Sequence, residues 1–221
     1  MMKETYDIDN FNKVRQLREK AHYDRATVHT ILDAGLVAHV AFTQEDTPVV
    51  VPMIYGRVGE SLYLHGARKA RVIRLLEQND RACVNVTLVD GIVLARSAFN
   101  SSMHYRSATV FGMPELVEDY DAKLGALRVI TEHSMPGRWD ELREPHEREV
   151  TMTGVIRLDI QAASAKVSNG MPDDEEEDYD IPVWAGVLPM ESVFTELRGD
   201  DRILDGVEPS AGVRQLQHRK L

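Results

Sequence analysis

Three β-rich runs lie within Leu36–His65, joined only by short turns. They are Leu36–Phe42, Val49–Tyr55 and Ser61–His65, separated by Gln44-Glu45-Asp46-Thr47-Pro48 and by Gly56–Glu60. Parallel strands need a crossover of roughly a dozen or more residues, which these turns cannot supply. The three runs therefore read as an antiparallel meander. Further β-rich runs follow at Arg81–Leu88, Ile92–Leu94, Tyr105–Val110 and Val155–Ile160. Asp90-Gly91 reads as a hairpin-type turn between the first two of these. Helical spacing marks Asp24–Ala34, Arg68–Gln78 and Glu118–His133. The expectation is a mainly β domain of six or seven antiparallel strands with flanking helices, closing toward a barrel.

The third run leads straight into a cationic segment, Ser61-Leu62-Tyr63-Leu64-His65-Gly66-Ala67-Arg68-Lys69-Ala70-Arg71. Helix N-termini favour acidic side chains, because the macrodipole is positive there. Arg68, Lys69 and Arg71 at a helix start are unfavourable unless an anion sits among them. Free first-turn N–H groups together with Arg and Lys make a phosphate site. Pro52 interrupts the preceding β-rich run. Proline is confined to strand edges, strand starts and bulges, so Pro52 marks either an ordinary edge or a place where the ladder opens and a ligand reaches the backbone. A third polar stretch, Ser101–Ser107, carries Arg106 into a strand. A strand arginine among apolar neighbours needs a phosphate or a carboxylate as partner.

Composition narrows the function. The chain has 221 residues, 26 basic and 36 acidic, for a formal charge of −10, which argues against a general nucleic-acid binder. A lone cysteine, Cys83, precludes an intrachain disulfide and fits a reducing cytoplasm. The polar start lacks a signal-peptide pattern, and no apolar run approaches the roughly 20 residues of a membrane span. The eight histidines have no metal-ligand spacing, and His146-Glu147 lacks the second histidine of a zincin. Asp173–Asp178 lacks the calcium-loop pattern and reads as a solvated loop. Neither a P-loop nor a dinucleotide fingerprint is present. Residues 1–22 read as an N-terminal arm, 23–189 as the main domain, and 190–221 as a partly ordered extension.

Four motifs in order carry a resemblance. They are Thr47-Pro48-Val49-Val50-Val51-Pro52-Met53-Ile54-Tyr55, Leu62-Tyr63-Leu64-His65-Gly66, Tyr105-Arg106-Ser107 with Phe111-Gly112, and Pro182-Val183-Trp184-Ala185-Gly186-Val187-Leu188-Pro189. The chain resembles the pyridoxamine 5′-phosphate oxidase-like FMN-binding proteins, more closely the flavin-nucleotide-binding branch that includes nitroimidazole-resistance proteins. The resemblance implies a split β-barrel and a homodimer with FMN at sites shared between subunits. It implies that Val51, Pro52 and Met53 offer backbone to the flavin ring, and that Leu64 and His65 line it. Arg68, Lys69 and Arg71 would hold the phosphate. Ser102, Tyr105, Arg106 and Ser107 would form a second polar strand, and Trp184 would cover the flavin from the partner subunit. His65 is the implied catalytic residue, and no metal ligand is implied. The Arg-x-His motif of the true oxidases is missing, so a small-molecule oxidoreductase, with nitro reduction as one activity, is expected rather than vitamin B6 synthesis. A flavin carrier or sensor, or a split-barrel enzyme using deazaflavin or haem, are the alternatives.

Overall fold

The computed structural model describes residues 3–221; Met1 and Met2 of the expected N-terminal arm lie outside the described residues. In chain order the elements are β1 (Ala21–His22), α1 (Arg25–Ala34), β2 (Val37–Gln44), β3 (Thr47–Val58), β4 (Ser61–Ala67), α2 (Arg71–Gln78), β5 (Ala82–Leu94), β6 (Ser102–Gly112), β7 (Pro114–Leu116), α3 (Tyr120–Ser134), α4 (Glu147–Met152), β8 (Thr153–Asp159), β9 (Ala162–Ser168), β10 (Gly186–Pro189) and α5 (Ala211–Leu216). The architecture is mainly antiparallel β with flanking helices, as expected. Among the described residues ten strands form instead of six or seven. Two expected strands fuse into β5, and β1, β7, β9 and β10 are additional.

The chain divides into two compact units. The first comprises residues up to Gly35, Val84–Phe111 and Ala162–Glu191. Its strand order is β1-β9-β6-β5, and β10 pairs with β5. α1 lies against β9 through Val28, Ile31 and Leu32, which are buried. The arm is anchored here: buried Asn12 donates to the carbonyls of Asp7, at 2.8 Å, and Ala163, at 3.0 Å. Asp90-Gly91 makes no turn but lies inside continuous β5. Gly91 is needed for strand packing, since a Cβ there would stand 2.8 Å from the Leu188 carbonyl oxygen of β10.

Asp24 caps α1, accepting a 2.8 Å bond from the Thr27 N–H. The Thr27 hydrogen bonds hold its carboxyl below the ordinary aspartate range. The unfolded chain therefore binds the extra proton as acid is added. The cap's contribution is complete above about pH 3.9, the unfolded value, and disappears as pH falls through the lowered one. Asp24→Ala is expected to cost about 1 kcal/mol at pH 7 and to become neutral in strong acid. Urea unfolding of both proteins at the two pH values checks this.

The second unit comprises Leu36–Cys83, Gly112–Gln161 and Ser192–Leu221. Its strand order is β2-β3-β4-β8-β7. The core face carries Tyr55, Leu62, Leu64, Ile156 and Leu158, with Ile73 and Leu76 from α2 and Ile130 from α3, all buried. Burying each of these aliphatic side chains contributes about 1.5–3 kcal/mol. The extension is tied at both ends: Val193 bridges Lys220, and the His218 and Arg219 backbones bond to Phe194. Ser210 caps α5 through the Val213 N–H.

Candidate functional site

β3 belongs to two ladders in succession. With β2 it pairs from Thr47↔Gln44 to Ile54↔Val37. With β4 it pairs only from Tyr55↔Leu64 to Val58↔Ser61. β4 runs on to Ala67, paired with β8 alone. The two strands therefore part beyond Tyr55 and Leu64. Val51–Ile54 on one side and His65–Ala67 on the other face the parting with backbone groups that have no strand between them. Pro52 marks this opening, one of the two meanings its position allowed.

Side chains at the opening sort by strand alternation. Met53 and Leu64 point into the core, where Leu64 is fully buried. Their contribution to a ligand would be backbone, not side chain. Val51 shares that face, half-buried. Pro52 and His65 lie on the other face. His65 is half-buried, and burial pushes its pKa below the ordinary histidine value. Its Nδ1 is buried without a hydrogen-bond partner.

The cationic segment is a turn followed by a helix. The helix starts at Arg71, not Arg68, because Ala67–Ala70 forms a tight turn closed by the Ala70 N–H on the Ala67 carbonyl at 2.8 Å. The Arg68 N–H donates to the Met152 carbonyl, also at 2.8 Å. Gly154 on β8 seats this turn: a Cβ there would lie 3.2 Å from the Arg68 Cα and 2.6 Å from Ile73 Cγ2. Sequence reasoning passed over Gly154, whose only signal was a glycine opening an alternating strand. No side chain caps α2, so the first-turn N–H groups of Arg71, Val72 and Ile73 are left for water or an anion. Arg68 is engaged by Glu77 at 3.3 and 3.5 Å. Lys69 and Arg71 are exposed and have no ion pair or hydrogen bond among the described residues. Val51–Met53, Leu64, His65, Arg68, Lys69 and Arg71 all lie in the second unit.

The remaining predicted residues belong to the first unit. On β6 Tyr105 and Ser107 share one face, while Ser102 and Arg106 share the other. Arg106 has the carboxylate partner its position demanded: Nε and Nη2 donate to Asp90 at 2.8 and 2.7 Å. That bidentate pair raises the arginine pKa. Trp184 is 69% exposed, in the loop before β10. The acidic loop proves anchored. Asp174 is buried, accepts the Arg96 N–H at 2.8 Å and pairs with the Arg96 guanidinium at 3.1 Å. That guanidinium lies over the Tyr179 ring. Cavities of about 540 and 600 Å³ along the extension and beside α3 contain none of the predicted residues.

An antiparallel meander, β2-β3-β4, whose last two strands part beside a cationic turn defines a split-barrel protein. The family follows: residues 24–167 match the profile of the pyridoxamine 5′-phosphate oxidase family, and the chain belongs to it. Among solved structures the chain is similar to the flavocytochrome Anf3 from Azotobacter vinelandii, with 36% identity, 95% of this chain and 97% of that one covered, and a TM-score of 0.89. It is also similar to the FAD- and haem-binding protein from Mycobacterium smegmatis, with 36% identity, 90% and 98% coverage and a TM-score of 0.86. A protein assigned to 5-nitroimidazole antibiotic resistance in Bacteroides thetaiotaomicron shares 26% identity over 66% of this chain and 86% of that one, with a TM-score of 0.54. No curated protein matches the chain. No described helix is long and apolar enough to cross a membrane.

Proposed function

We propose that this chain is a flavin-dependent redox protein of the cytoplasm, acting on a small molecule, and that it carries haem as a second redox group. The observation that carries the flavin reading is the β3–β4 opening, with two exposed cations, Lys69 and Arg71, that have no ion pair among the described residues, and a helix α2 without a side-chain cap. Lys69 and Arg71, with first-turn N–H groups, would hold a flavin phosphate; the opened backbone of Val51–Met53 would meet the ring. When bound, a flavin supplies hydride and single-electron chemistry, and the protein supplies orientation and exclusion of water. The name of the 36%-identical Mycobacterium smegmatis relative favours FAD over FMN, and the names of both 36%-identical relatives supply the haem. The test is the visible spectrum of the purified protein, followed by release of the flavin and its identification. Released FAD is the expected result; released FMN would support the original resemblance instead. A protein that takes up neither flavin sinks the reading. The Bacteroides relative supports nitro-compound reduction as one activity, read by loss of nitro absorbance with a reduced flavin.

The protein is further proposed to work as a homodimer. On the first unit Ile92 of β5 stands opposite Leu188 of β10, and Leu94 stands opposite Gly186. Ile92 is 45% exposed, Leu188 57% and Leu94 38%. With Trp184 they form an apolar face that a second copy would cover. Trp184→Ala is expected to weaken both dimer and flavin binding, since anything that binds only the assembled form stabilises it. Sedimentation with and without flavin checks this. A monomer that holds flavin at full affinity rules it out.

A further inference from the structure

We infer that the C-terminal extension closes a binding site for a small amphipathic carboxylate, an apolar chain ending in one carboxyl group, and that Arg198 holds its head. Two cavities border the extension. One, of about 540 Å³, lies between it and the turn Trp139–Glu141, and the other, of about 410 Å³, lies between it and the end of α3 at Ser134 and Met135. Both fall in the range of about 300–1,000 Å³ that small-molecule sites occupy. Leu197 and Arg198 line both, so Arg198 stands where the two meet. Both cavities lie within the second unit, and no residue assigned to the flavin lines either. The inference therefore stands apart from the flavin reading.

The larger cavity is held open by local contacts. Glu141 accepts from the Ser210 hydroxyl and from Arg138, the latter at 2.7 Å, and the two together hold its carboxyl below the ordinary glutamate range. This ties the start of α5 to the Trp139–Glu141 turn. Gly212 makes room for the contact, since a Cβ there would stand 3.1 Å from Glu141 Oε1. On the other side the extension makes two turns. The Ile203 N–H donates to the Asp200 carbonyl and the Val207 N–H to the Leu204 carbonyl, each at 3.1 Å. Ile203 and Val207 line the cavity with Leu197, and all three are exposed. Exposed apolar side chains gathered in one concavity suit the apolar part of a ligand.

Charge balance selects the head. Arg138 is neutralised by Glu141. Glu208 lies 3.6 Å from the Arg214 guanidinium, Glu196 lies 3.4 Å from His218 Nε2, and Asp200 accepts the Arg202 N–H at 2.7 Å. Arg198 is the lining cation that has no ion pair or hydrogen bond among the described residues. An uncompensated guanidinium beside an apolar wall matches a carboxylate on an apolar chain, which it binds through two parallel N–H donors. Asp200 keeps one oxygen free, so an organic cation of the same length is the competing ligand, and the test includes it.

The test is calorimetric titration of the purified full chain with decanoate, octanoate, decanol and decylamine, each below its micelle concentration. Decanoate is expected to bind, and octanoate to bind more weakly by up to about fourfold per missing methylene. Decanol and decylammonium should both bind more weakly than decanoate. Arg198→Gln should lower decanoate affinity by about tenfold or more, the weight of a lost charge-assisted bond, and bring decanoate level with decanol. Its melting temperature without ligand should match the parent's, because Arg198 is exposed and makes no bond among the described residues. Arg198→Lys, which keeps the charge, should retain part of the preference for decanoate. Ile203→Asn should weaken decanoate and decanol alike. The inference is overturned if the parent does not bind decanoate, if it binds decanol or decylammonium as tightly, or if Arg198→Gln binds decanoate as the parent does.

Discussion

Replacing Lys69 and Arg71 together with alanine is expected to lower flavin affinity by about 100-fold or more. Each charge-assisted bond to a phosphate is worth about 1.5–3 kcal/mol, and every 1.4 kcal/mol is about tenfold in affinity. Both side chains are exposed and make no ion pair or hydrogen bond among the described residues, so the melting temperature of the flavin-free form should hardly move. Arg68→Ala is expected to have a smaller effect, because Arg68 already gives two of its donors to Glu77. Glu77→Gln should have the opposite sign: it releases Arg68 and tightens binding. Flavin fluorescence quenching on titration reads all four proteins. If the double variant stays within about twofold of the parent, under 0.5 kcal/mol on the same scale, the phosphate lies elsewhere.

Arg96→Met is expected to be the most destabilising surface-adjacent substitution in the first unit. It leaves the Asp174 carboxylate, whose side chain is fully buried, with only the backbone N–H of residue 96. Breaking a buried ion pair from one side costs about 3–5 kcal/mol; the partial exposure of Arg96 puts the expected value near the lower end, about 3 kcal/mol. Removing the charge from the other side should cost less, so Asp174→Asn with Arg96 intact is expected to fall below Arg96→Met. The double variant should be closer to the parent than Arg96→Met is, because no unpaired charge remains. Chemical denaturation of the three variants gives the comparison. Equal losses for both single variants would mean that the pair's charge is not what holds the acidic loop.

Much of this was legible before any coordinates, and the gaps have physical causes. The meander from Leu36 to His65 followed from β-rich runs and short turns, and β2, β3 and β4 form where those runs lie. The cationic segment after β4 is readable from local chemistry, whereas the sequence leaves Pro52 between an ordinary edge and an opening, and only the β3–β4 register decides for the opening. β9 was not seen. Ala162-Ala163-Ser164-Ala165 has little strand preference of its own, and its pairing with β6 and β1 makes the strand. Asp90-Gly91 misled for the converse reason. The dipeptide favours a turn in isolation, but the Arg106 pair and the close approach of β10 hold it extended. Arg106 announced that it needed a partner without saying which; Asp90 lies 16 positions away in sequence, on another strand. The resemblance implies that Leu64 lines the ligand, and strand alternation sends its side chain to the core.

The parting of β3 from β4 also bears on how the chain behaves in its empty form. Among the described residues β3 pairs on one side only from Thr47 to Ile54, and an unpaired strand edge is a template for adding another chain. The segment is valine-rich, with Val50 and Ile54 exposed, the composition that favours intermolecular sheets. Pro48 and Pro52 bracket its centre. A proline is tolerated in a paired strand where its missing N–H would face away from the ladder, so both remove donors from the open edge. The two prolines at this opening thus act as gatekeepers against self-association. Exchanging them for residues with an N–H would extend a continuous donor row along the opening and turn it into a nucleus for aggregation.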